Sequence, residues 1–150
     1  MEKVKVIARN KNAFHDYNII EELECGIVLV GTEIKSIRLG KVSINESYCQ
    51  VKDGKLVIFD MHIASYDQGN IFNHKEKRDR LLLAHKKEIR KLSQKVKLEG
   101  LTIIPLSVYL KSGLCKINIA LAKGKKNYDK REDMKKMDAK KDASRYMKWK

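Results

Sequence analysis

In the stretch LAKGKKNYDKREDMKK, which begins at Leu121, the cations Lys123, Lys125, Lys126, Lys130 and Arg131 surround one aromatic residue, Tyr128. Tyr146 and Trp149 lie in the same way among Arg145, Lys148 and Lys150. Basic side chains interleaved with aromatic rings combine phosphate attraction with base stacking, so the chemistry this segment offers is that of a nucleic-acid-binding arm. It does not offer a nucleotide-phosphate loop. Lys123-Gly124-Lys125-Lys126 contains one glycine and lacks both the second glycine and the Lys-Ser/Thr ending of such a loop.

Catalytic and metal-binding arrangements are not indicated elsewhere. His15, His62, His74 and His85 are dispersed and have no cysteine at metal-ligand spacing. Glu21, Glu22 and Glu24 alternate across an expected strand. Cys25, Cys49 and Cys115 are odd in number, far apart and set among apolar residues, which suits reduced, buried thiols and neither a disulfide framework nor a zinc module. The reading is a binding protein, not an enzyme, with no metal and no cofactor.

The charge agrees with that reading. The 150 residues carry 33 Lys and Arg against 19 Asp and Glu, a net charge of +14, which favours a polyanionic partner. Residues 123–150 hold 12 basic and 5 acidic side chains and contain no Leu, Ile, Val or Phe. Half of the net charge therefore sits in less than a fifth of the chain, in a segment that cannot bury enough apolar surface to offset the entropy of ordering itself. Glu132 and Lys136 have the acid-before-base spacing that supports a helix, yet the apolar residues there form no single stripe. The expected organisation is a domain over 1–122 and a basic tail over 123–150, disordered when free and helical when an anionic partner holds it. No apolar run approaches the roughly 18 residues of a membrane span, and the start, MEKVKVIARN, lacks the apolar run of a secretory signal, so a cytoplasmic protein is expected.

The body that must position these groups reads as β. NIIEELECGIVLVGTEI supplies two β-type runs around Gly26. VSINESYCQVKDGKLVIFDMHIASY predicts a hairpin folded at Asp53-Gly54, and LTIIPLSVYLKSGLCKINIALA a second with its turn near Ser112-Gly113. Pro105, the single proline, lacks a donor and predicts an edge or a bulge. Between the hairpins, Ile89, Leu92 and Val96 line one helical face that Gly100 terminates, and a second short helix is expected over Glu33 to Leu39. About six strands and one or two helices predict a mainly β fold, a small antiparallel barrel of the oligonucleotide-binding (OB) type, left partly open.

Four segments, in order, resemble one family, the small protein B (SsrA-binding) family, the partner of transfer-messenger RNA (tmRNA) in trans-translation. They are Asn10-Lys11-Asn12-Ala13 with His15-Asp16-Tyr17, then GTEIKSIRLGKVSINESY from Gly31, then RLLLAHKKEI from Arg80, and AKGKKNYDKR from Ala122. The resemblance implies an RNA-binding adaptor: the barrel grips the tRNA-like domain of tmRNA and delivers it to stalled ribosomes, with elongation factor Tu an indirect partner. Asn10, Glu24 and Leu82 match family positions tied to RNA binding, with Lys11 beside Asn10 in the same motif. Lys35, Arg38 and Lys41, in or just after the short helix, are added here as phosphate contacts. Lys123, Gly124, Lys125, Lys126, Tyr128, Asp129, Lys130 and Arg131 match the part of the tail that reads the empty mRNA channel near the decoding centre of the small ribosomal subunit. The stretch HKEKRDRLLL departs from the family, which usually has a proline and a more purely basic run there. A monomer is the default expectation. The alternative is a general single-stranded-RNA- or rRNA-binding barrel with a nonspecific cationic tail.

Overall fold

The computed structural model describes residues 3–66 and 73–125. In chain order the elements are β1 (Val4–Arg9), α1 (Ala13–Asp16), β2 (Tyr17–Ile27), α2 (Gly31–Arg38), β3 (Val42–Ser43), β4 (Tyr48–Lys52), β5 (Lys55–Phe59), β6 (His62–Ile63), β7 (Arg80–Leu83), α3 (Lys86–Glu99), β8 (Thr102–Lys111) and β9 (Leu114–Gly124). Six strands, in the order β8-β4-β5-β7-β2-β9, close into a ring through the β8–β9 pairing, and β1 adds to β8. Each recorded pairing is antiparallel. The expected mainly β, OB-type barrel is therefore present, and it is closed where a partly open one was expected.

Local chemistry explains the corners. Asp53 and Gly54 both take positive φ (52° and 76°), as do Ser112 and Gly113 (51° and 82°), which matches the twist of the strands each pair joins. Helix α3 ends at Gly100 in the left-handed conformation and turns Ile89 and Leu92 into the core. Inward positions of the strands, among them Leu56, Ile58, Val108, Ile117, Ile119 and Leu121, are fully buried. Pro105 marks a bulge, since the β8–β9 register shifts between Pro105 and Ser107. It also lies where one edge of β8 passes from β4, opposite Ile103, to β1, opposite Ser107, so a residue without a donor is tolerated there.

Three expectations need correction. Gly26 does not separate two strands; it lies inside β2, and its Cα would place a side chain 3.3 Å from the Leu83 Cβ, so close packing against β7 explains the glycine. A third helix, the single turn α1, closes through the Asp16 amide donating to the Asn12 carbonyl at 2.9 Å and is too short to leave a periodic signal. Finally, β9 does not stop where charge begins: Lys123 pairs with Asn18 and Gly124 with Tyr17, so these two residues of the expected tail are strand. Cys25 and Cys49 are buried and Cys115 is partly so, and burial pushes the Cys25 thiol up to about 12.

Candidate nucleic-acid interface

Three of the four family-like segments meet at one mouth of the barrel. Asn10 organises the meeting. Its backbone N–H donates to the Leu106 carbonyl at 2.8 Å, its side-chain Nδ2 donates to the Pro105 carbonyl at 3.0 Å, and its Oδ1 accepts the Asn12 N–H at 3.2 Å. The next residue, Lys11, donates its N–H to Oδ1 of Asn45 at 3.0 Å, which ties the first segment to the end of the second. The root of the basic segment arrives from the other side: the Lys125 N–H donates to the Asp16 carbonyl at 2.9 Å and its Nζ to the Phe14 carbonyl at 2.8 Å. A cavity of about 340 Å³ opens where they join, floored by Ala13 and Ile104 and walled by Asn12, Tyr17, Asn45 and Tyr48.

Asn10 thus acts first on the protein itself, being buried with both side-chain ends engaged. Asn10→Ala should strand the Pro105 carbonyl and the Asn12 N–H and cost about 1 to 3 kcal/mol of stability. Guanidinium unfolding would show the loss, and RNA affinity should fall with it; unchanged stability would mean that the loop holds without this side chain.

Glu24 faces outward from β2, 41% exposed. Its Oε2 accepts the Tyr109 hydroxyl and its Oε1 lies 3.4 Å from Nζ of Lys111. The Tyr109 hydrogen bond, aided by Lys111 and Lys116, holds the carboxyl below its ordinary value, while burial and the carboxylate push the Tyr109 phenol up. Glu24 is consequently a fixed anion, suited to accept N–H groups and to organise cations, and unsuited to a general base near neutral pH. Glu21 turns to α3 and Lys95, and Glu22 accepts from Asn118 Nδ2, so the three carboxylates do not converge.

Leu82 is 2% exposed and pairs with Leu56 and Ile27 inside the barrel. In this structure its side chain packs in the core. Lys35, Arg38 and Lys41 are all exposed; Nζ of Lys35 sits 5.4 Å from the Tyr66 ring centroid. Lys123 and Gly124 are exposed at the end of β9. Lys126, Tyr128, Asp129, Lys130 and Arg131 lie outside the described residues.

The sequence reading missed an internal ion cluster. Glu33, on α2, and Arg80, on β7, are both fully buried and hydrogen-bonded through Arg80 Nε. Arg78 donates to Glu33 through Nη2 at 2.6 Å and Nε at 3.2 Å, and the Val30 N–H donates to it at 2.9 Å. Arg80 also donates to the Met61 carbonyl at 2.6 Å and the Glu76 carbonyl at 3.2 Å. The departure HKEKRDRLLL is thereby accounted for in part: Arg78 and Arg80 point to Glu33, and the Glu76 carboxylate takes hydrogen bonds from His62 and Ser65. The available signal was Glu33 within TEIKSI and Arg78 and Arg80 at the start of the apolar run LLL, and sequence spacing does not pair them.

The SmpB protein family model matches residues 7–149. An SsrA-binding protein of Carboxydothermus hydrogenoformans is 53% identical over 135 residues, covering 90% of this chain and 91% of that one. One from Acetivibrio thermocellus is 52% identical over 147 residues, with 98% and 96% covered. A solved structure described as "tmRNA-SmpB: a journey to the center of the bacterial ribosome" contains a chain similar to this one, with a TM-score of 0.67 and 44% identity over 79% of this chain and 84% of that chain.

Proposed function

The chain belongs to the SmpB protein family, and from that premise we propose that it is the RNA-binding adaptor of trans-translation. It binds the tRNA-like domain of tmRNA through the barrel and delivers it to stalled ribosomes, with elongation factor Tu engaged on the tmRNA rather than on this chain. Its work is recognition, without a covalent step of its own, and its place is the cytoplasm. The observation that carries this reading is the convergence of the Asn10, Asn45 and Lys125 segments into one mouth. That mouth offers phosphate-binding cations, amides and aromatic rings together, which is what recognition of a folded RNA by shape, backbone and a few exposed bases requires. The C-terminal arm, continuing from the anchored Lys125, enters the empty mRNA channel near the decoding centre, where Lys126, Lys130 and Arg131 bind phosphates and Tyr128 stacks on a base. A channel filled by messenger excludes it, which restricts delivery to stalled ribosomes.

The test is competition. The full chain should prefer the tRNA-like domain over an unstructured RNA of equal length, with selectivity that persists as salt rises toward physiological strength. Equal binding that collapses steeply with salt would show charge acting alone and would favour the general RNA-binding barrel.

A further inference from the structure

Resting on the RNA-binding reading, we propose that the cavity beside Asn10 seats one unpaired guanine base of the bound RNA, stacked on Tyr48. The volume, about 340 Å³, is at the small end of the range for sites that enclose a small molecule, and its floor of Ala13 and Ile104 is buried and apolar, as a ring face requires.

The aromatic wall is set in place by its neighbours. Tyr48 is 37% exposed and stacks on Phe59 across the β4–β5 pair, with centroids 5.3 Å apart and planes 20° apart. Nζ of Lys52 lies 4.7 Å from the Phe59 ring centroid, so the ring that supports Tyr48 is itself held by a cation. A tyrosine held in this way loses little rotamer freedom when a base arrives, which is the usual reason a preformed platform binds well. Tyr17 supplies the second aromatic wall.

The polar rim selects the base. Asn45 accepts the Lys11 N–H with Oδ1, which leaves its Nδ2 as a donor, and Asn12 and the exposed Glu46 add an amide and a carboxylate to the same lining. A carboxylate accepts N–H groups, and guanine presents adjacent imino and amino N–H donors on one edge. A base still paired in a helix cannot present that edge, so the occupant comes from a loop or bulge. Lys11 lies between the lining residues Asn10 and Asn12, and the Lys125 N–H is bonded to Asp16 of the lining with Lys123 two residues earlier, so cations adjoin the cavity where neighbouring phosphates would pass.

The experiment uses the full chain and the tRNA-like domain of tmRNA with each unpaired guanosine replaced in turn by an abasic nucleotide. One position is expected to lose about tenfold or more in affinity. Tyr48→Leu should lose as much on the intact RNA and nothing further on that abasic RNA, Tyr48→Phe should bind as the parent does, and the salt slope should not change because no phosphate contact is removed. Should Tyr48→Leu loosen the hairpin, Glu46→Gln provides the same comparison from an exposed position. Additive losses for the protein and RNA changes, or abasic RNAs that all bind like the intact one, would overturn the base site. If the parent chain failed to prefer the tRNA-like fold at all, the adaptor reading would fall; intact selectivity with additive losses would overturn the base site alone.

Discussion

Replacing Glu33 by alanine is expected to lower the unfolding free energy by about 3 to 5 kcal/mol, the cost of leaving a buried charge without its partner. Arg80 would stay fully buried and lose the carboxylate at its Nε, while Arg78, 30% exposed, could turn to water. Burial opposes the charge on both Glu33 and Arg80 and pulls the Arg80 value down. The hydrogen bonds from Arg78, the Val30 N–H and Arg80 outweigh that penalty at the carboxylate, so the Glu33 carboxyl lies below its ordinary 4.5. The sign for pH follows. A folded value below the unfolded one contributes stability that is present above pH 4.5 and is lost as pH falls through the lower folded value. Guanidinium unfolding at a series of pH values should show the parent losing stability in acid, and Glu33→Ala losing less of it because the group is gone. Glu33→Leu combined with Arg80→Leu should be less destabilised than Glu33→Ala alone, since the buried charge is removed with its partner. A single-variant loss under about 1 kcal/mol would mean that solvent reaches Arg80 and the cluster is not a lock.

Ending the chain after Lys125 is expected to abolish tagging of nascent chains on ribosomes stalled on a truncated messenger, while leaving the barrel folded and still selective for the tRNA-like domain. The two activities separate because β9, Leu114–Gly124, and the Lys125 contacts to Asp16 and Phe14 stay in the shortened chain. A cut after Ala122, where composition changes, is a different protein. It removes the Lys123–Asn18 and Gly124–Tyr17 pairs and the Lys125 hydrogen bonds to Asp16 and Phe14, and should cost about 1 kcal/mol or more in stability as well as tagging activity. Residual tagging by the chain ending at Lys125 would relocate the ribosome-reading function to the barrel. Loss of RNA selectivity in that chain would refute the division of labour.

What the sequence revealed was mostly local. Asp53-Gly54 and Ser112-Gly113 announce their turns because positive φ is a property of those residue types. Helix α3 was legible from Ile89, Leu92 and Val96 with Gly100 behind them, since one face and one terminator suffice. The pairing of Glu33 with Arg80 was not legible, because it joins residues 47 positions apart through the fold alone. Gly26 misled for the opposite reason: a glycine inside a strand resembles a break until the neighbouring β7 side chain is seen. In the candidate site, the family-like segments identified Asn10, Lys11 and the Tyr17 and Tyr48 motifs as important, but not that they adjoin. The inward or outward direction of Leu82 also depended on a strand register that one short apolar run cannot fix.

The ring of strands is not uniform along its circumference. Strand β9 pairs along most of its length with β2 on one side and β8 on the other, but β4 meets β8 at Cys49–Ile103 and β2 meets β7 at Gly26–Leu83 and Ile27–Leu82. The barrel is in effect two half-shells, β4-β5-β7 and β1-β8-β9-β2, sewn together by short stitches. The cavity therefore straddles a seam: Tyr48 belongs to one shell and Asn10 and Tyr17 to the other, and the hydrogen bond from the Lys11 N–H to Asn45 Oδ1 adds beside it a stitch that the strand ladder does not supply.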